Sequence, residues 1–201
     1  VAIVYRNTKG SPLTYSELDG NFSDLAGRTD VAWVMDGLEP TLREGFGNPA
    51  ELATFIGNTT AYMFVPTATS ETFVNWDVPF NWADGTNVYA AIHWSPGNST
   101  SSGNVRWGLE FTTAAVNGVF GSTQTIYVTS SSNQTAYQHI QAVSAPYSGS
   151  SVDPNQRFLI RLFRDGANVA DTFPDDAFLL GIDFYYQVDK FGLPSFTPPY
   201  T

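Results

Sequence analysis

The stretch NVRWGLEFTTA, residues 104–114, decides the fold. Val105, Trp107, Leu109 and Phe111 occupy alternate positions, with Arg106 and Glu110 between them. A repeat of two is that of a β-strand, whose successive side chains point to opposite faces. The segment therefore reads as a strand with one face in a core and the other in water. RFLIRLFRDG, residues 157–166, repeats the pattern, with Phe158, Ile160 and Leu162 opposing Arg157 and Arg161.

Further runs rich in Val, Ile, Phe, Tyr and Thr lie on either side, parted by clusters of Gly, Pro, Asn, Asp and Ser. They are AYMFV at 61–65, TFVNW at 72–76, NVYAAIHW at 87–94, QTIYVTS at 124–130, AYQHIQAVSA at 136–145 and AFLLGIDFYYQV at 177–188. Eight such strands predict a mainly β protein, a jelly-roll-like two-sheet antiparallel sandwich over residues 61–201. Ahead of it, VAIVYRN at 1–7 reads as a short β run and DVAWVMDG at 30–37 as another strand candidate. Residues 37–60 read as a connector with one short helix in NPAELATF, where Asn48 is the N-cap, Pro49 sits at N1 and Glu51 at N3. The ending FGLPSFTPPYT, residues 191–201, reads as an extended tail lying on a surface.

KGSPLTYSELDGNFSDLAGR, residues 9–28, is of another kind. Thr14 and Glu17 have the spacing of a capping box, and Leu13 with Leu18 that of a hydrophobic staple. Leu18, Phe22 and Leu25 follow at helical spacing, and Gly27 is the expected terminator. A helix of three or four turns does not hold itself together in water, so its apolar stripe needs a surface to dock on. The expected attachment or oligomer contacts are Leu13, Tyr15, Leu18, Phe22 and Leu25, within an N-terminal segment of residues 1–36.

The totals exclude several functions. Among 201 residues, 42% are hydrophobic and 15% aromatic, enough for a real core. Nine basic against 19 acidic residues give a net charge of -10, which disfavours nucleic acid and anionic membrane as partners. There is no cysteine, hence no disulfide, thiolate metal site or cysteine nucleophile. No run of about 18 apolar residues and no basic-then-apolar beginning is present, so neither a membrane span nor a secretion signal is expected. Four N-x-[ST] sites, at Asn21, Asn58, Asn98 and Asn133, read as chance matches in so Ser/Thr-rich a chain.

Catalytic chemistry finds little support. His93 and His139 lie on strand patterns without metal-ligand spacing, so no metal is expected. Asp153, Asp165, Asp171, Asp175, Asp176 and Asp183 enrich the C-terminal third in acid. A calcium site or a glycosidase carboxylate pair is one reading, and turn and cap positions are the favoured one. No nucleophile elbow, P-loop or dinucleotide fingerprint occurs. The chain reads as non-enzymatic and without cofactor. Aromatic residues offer the best binding chemistry, because exposed rings in sandwich loops stack on sugars. Trp76 and Trp82, in NWDVPFNWADG, are the candidate ligand or receptor contacts, whereas Trp107 reads as core.

Lys9, Gly10, Pro12, Leu13, Thr14, Tyr15, Glu17, Asp19, Asn21, Phe22 and Leu25 match a pattern. They resemble the K-G-x-P-L-T-Y-x-E-x-D-x-N-F-x-x-L segment near the N-terminus of many bacteriophage tail-fibre and other virion proteins. The resemblance implies a structural protein located in the virion and assembled in the host cytoplasm. It also implies attachment to other phage virion proteins through the N-terminal segment, often as a homotrimer. No repetitive shaft is present, which fits a compact tail-fibre or adaptor protein. The alternatives are a capsid decoration protein (cement or head fibre) or a carbohydrate-binding adsorption module that meets a host-surface glycan.

Overall fold

The structure, a computed structural model, describes residues 10–29, 32–41 and 47–188. The β run at 1–7 and the tail at 191–201 lie outside the described residues. Helix α1 (Tyr15–Thr29) comes first. Ten strands follow: β1 (Ala32–Leu38), β2 (Glu51–Thr54), β3 (Thr60–Phe64), β4 (Thr69–Asp77) and β5 (Tyr89–Ser95), then β6 (Ser102–Ala114), β7 (Gln124–Asn133), β8 (Ile140–Val143), β9 (Arg157–Asp165) and β10 (Ala177–Val188).

The strands form two antiparallel sheets. One runs β2-β3-β10-β5-β8, with β1 also paired to β10, and the other runs β4-β9-β6-β7. From β3 onward the chain changes sheet at each connection except the β6–β7 hairpin, which is the winding of a jelly roll. All eight strands expected between residues 61 and 188 form, and the alternation assigned to β6 and β9 holds. Val105, Trp107, Leu109 and Phe111 are buried, as are Phe158, Ile160 and Leu162.

Large rings fill the gap between the sheets. Phe64 meets Trp107 edge-on at 5.2 Å, and Trp76 stacks on Phe184 at 4.6 Å with only 9° between the planes. Offset and edge-to-face pairs of this kind add about 0.5–1.5 kcal/mol each to the area they bury.

The sandwich takes in residues that the sequence divides between the N-terminal segment and the connector. β1 pairs with β10 from Ala32↔Val188 to Leu38↔Ile182. β3 uses the other end of the same β10 edge, from Ala177↔Phe64 to Leu179↔Tyr62. NPAELATF is not a helix. Ala50 N–H donates to Glu71 O at 2.8 Å, Glu71 N–H donates to Asn48 O at 3.0 Å, and β2 pairs with β3. One local cap cannot offset the ladder bonds offered by two neighbouring strands, since so short a helix is unstable alone. Helix α1 also runs past Gly27 to Thr29.

The long β9–β10 connection is fastened at one end of the sandwich. Gly103, at φ +149°, lets Thr172 and Phe173 lie against the start of β6, where a Cβ would meet Thr172 O at 2.5 Å.

Candidate functional site

At the N-terminus, the capping box forms as its spacing predicts. Glu17 N–H donates to Thr14 Oγ1 at 3.2 Å, and Glu17 Oε2 accepts from Thr14 N–H at 2.8 Å and from the Thr14 hydroxyl at 2.9 Å. The helix start is thereby fixed, yet its apolar row is left in solvent. Tyr15 is 90% exposed, Leu18 41% and Phe22 62%, while Leu13 is half-buried. The side chain of Leu25 lies outside the described residues.

Trp76 and Trp82 are placed otherwise than the sequence suggests. Both are fully buried. Trp76 donates from Nε1 to Asp36 Oδ2 at 3.1 Å and packs on Phe158, Phe184 and Tyr186. Trp82 is drawn inward because the β4–β5 connection folds back onto β10, with a bridge to Val188 and Ala83 N–H donating to Gln187 O at 2.7 Å. Neither ring is available to a ligand. They belong to the core.

The exposed tryptophan is Trp33, on β1. Val34 and Leu38 pack toward the core and Asp36 faces Trp76, so Trp33 and Met35 point outward at 54% and 56% exposure. Trp33 meets Tyr89 of β5 edge-on at 5.7 Å, and Tyr89 pairs across the sheet with Tyr185 of β10. Gln141 Nε2 donates to the Tyr185 hydroxyl at 3.0 Å.

Further along this outer face the two histidines meet. His93 Nδ1 lies 2.7 Å from His139 Nε2, and His93 Nε2 lies 2.7 Å from Asp183 Oδ2. Sequence spacing hides this cluster, because the pairing of β5 with β10, and of β5 with β8 just after His139, assembles it. Among the described residues no group of three His, Cys, Asp or Glu side chains could hold a metal ion.

The other acidic residues serve turns and ion pairs. Asp171 binds Arg164 through both carboxylate oxygens, at 2.8 and 3.0 Å, and Asp165 lies 3.2 Å from Arg106. Asp175 and Asp176 line a cleft of about 580 Å³ between the β5–β6 and β9–β10 loops, with Ser99, Ser101 and Phe178. The hydroxyls of Ser101 and Ser99 hold the Asp175 carboxyl below the usual carboxylate range, whereas burial pushes Asp176 up. No helix among the described residues is long and apolar enough to cross a membrane.

No protein-family model matches the chain, and no curated protein matches it. Similar solved structures include the CBM22-1 and GH10 modules of the endo-1,4-β-D-xylanase 10B of Clostridium thermocellum, complexed with xylohexaose. That match has 11% identity and a TM-score of 0.36, over 81% of this chain and 27% of that one. A carbohydrate-binding module of the β-sandwich superfamily matches at 8% identity and TM-score 0.31, over 80% of this chain and 54% of the other. The Gx strain of infectious bursal disease virus matches at 8% identity and TM-score 0.33, over 72% and 40%. The chain thus spans about half or less of each of these structures. Likeness at this level concerns the β-sandwich alone, and the jelly-roll order rests on the strand pairing itself.

Proposed function

We propose that the chain is a non-enzymatic virion structural protein of a bacteriophage, a compact tail-fibre or adaptor protein, attached through its N-terminal helix with the sandwich turned outward. The observation that carries this reading is the exposed Tyr15–Leu18–Phe22 row on a helix whose start is closed by a complete capping box. A helix with a closed start and its Tyr15, Leu18 and Phe22 side chains exposed is suited to meet another surface. Covering what remains exposed of Leu18 and Phe22 would contribute about 1–2 kcal/mol each. Several copies engaged at once multiply a modest contact into a firm one.

The spacing of Tyr15, Leu18, Phe22 and Leu25 alternates threes and fours, as in a coiled-coil seam, which fits helix-on-helix assembly, and the resemblance to phage virion proteins implies a homotrimer. The segment's resemblance to phage virion proteins supplies the particle as the partner. Quantitative mass spectrometry of purified particles is the test. The chain should co-purify at a fixed copy number, a few to a few dozen for a tail component. Hundreds of copies would select the capsid-decoration alternative, and absence from particles would overturn the reading.

A further inference from the structure

We infer that the outer face of the β1–β10–β5–β8 sheet is a saccharide-binding site, where Trp33 and Tyr89 provide the stacking surface and Tyr185, Gln141 and Asp183 the polar contacts, with His93 holding Asp183 in place. The register of β1 is the first support. A slip of one residue would turn the larger pair, Trp33 and Met35, inward in place of Val34 and Leu38 and would free Asp36 to water. The protein keeps the other register, with Asp36 held inward by the Trp76 indole and two large apolar side chains left in water. An apolar patch kept exposed in this way marks a contact surface.

The second support is the polar framework beside those rings. Both ring nitrogens of His93 are engaged, one by His139 and one by Asp183, so the imidazole is fixed in place. The other oxygen of Asp183, Oδ1, lies over Gly37, where a Cβ would approach it to 3.1 Å, and the carboxylate keeps 15% of its side chain exposed. The Tyr185 hydroxyl accepts from Gln141 and keeps its own proton for an acceptor. These groups stand on paired strands and not on loops, which holds their spacing.

The chemistry selects the ligand. Rings flanked by hydrogen-bonding groups match a pyranose, which has apolar C–H faces and hydroxyls around its edge. A protein partner would call for a continuous apolar centre instead. Trp33 lies opposite Gln187, four residues from Asp183 along β10, a span of about 13 Å that suits a short oligosaccharide better than one ring. A net charge of -10 makes the ligand neutral, since an acidic glycan would be repelled.

The site is read on the purified chain and stands apart from the role of α1. Trp76, Trp82, Trp94 and Trp107 are buried, so of the five tryptophans only Trp33 reports on this face. The probes are hexasaccharides of β-1,4-glucose, β-1,4-xylose, β-1,4-mannose and α-1,4-glucose, with a hexauronate as the charged control. At least one neutral hexasaccharide should shift the Trp33 emission to the blue and shield it from acrylamide. Calorimetry should show binding weakened tenfold or more in Trp33→Ala and Tyr89→Ala, and severalfold in Gln141→Ala. All three should keep the parent melting temperature within a few degrees. The inference is overturned if no neutral probe binds, if only the hexauronate binds, or if Trp33→Ala binds as the parent does. It is likewise overturned if dilution of the unliganded chain alone exposes Trp33, which would make the face a contact between copies. Trp33→Ala should still enter particles, so failure here and failure of the attachment reading are told apart.

Discussion

Arg164 stands at a core-facing position of β9, two residues beyond Leu162, and is fully buried. Its guanidinium donates to Phe64 O at 3.0 Å, Asp175 O at 2.8 Å and Phe173 O at 2.6 Å, and to both oxygens of Asp171. One side chain thus joins β3, β9 and the β9–β10 loop, with each of its five N–H donors matched. Removing a partner from a buried ion pair is far more damaging than replacing the whole pair. Arg164→Ala should therefore destabilise the sandwich by about 3–5 kcal/mol in urea unfolding. Arg164→Lys should recover little, since an ammonium cannot reproduce the fork. An unchanged unfolding midpoint for Arg164→Ala would refute the role. This residue shows where sequence reading stops. Alternation along RLFRDG places position 164 inward, but nothing local says that three carbonyls and a carboxylate wait there. The same holds for Trp82, whose polar neighbours suggest exposure and whose burial comes from a loop returning to Val188.

At the scale of elements, legibility follows the strength of the local pattern. β6 and β9 have long alternating runs, β10 a long apolar one with a register shift after Leu179, and all three appear close to the residues their sequences predict. NPAELATF carries convincing helix-start chemistry, yet it becomes β2 because its partners, β3 and the Glu71 backbone, are distant in sequence. Trp33 and the His93–His139–Asp183 line escaped notice for the same reason, as they share a face only once β1, β5, β8 and β10 are paired. Helix α1 is the converse, with a start that is local and legible, although its end lies past the expected Gly27. Its cap can be tested without disturbing the sandwich. Thr14→Ala should remove about 1 kcal/mol from the helix start and lower amide protection at residues 15–18. The global melting temperature should stay unchanged, because the exposed row of α1 adds nothing to the core. A drop of several degrees would mean that the helix packs on the sandwich after all.

For the molecule as a whole, the jelly roll has its own core, whereas Tyr15, Leu18 and Phe22 of α1 stay exposed. The inter-sheet core includes Phe64, Trp76, Trp94, Trp107 and Ile182, all supplied by β3 to β10, and β1 extends one of its sheets. Folding and attachment should therefore respond to different substitutions. The most direct measurement is particle incorporation of the double variant Leu18→Ser with Phe22→Ser, followed by quantitative immunodetection in purified virions. The double variant should melt at the parent temperature and be missing from particles. Incorporation at the parent copy number would contradict the attachment role.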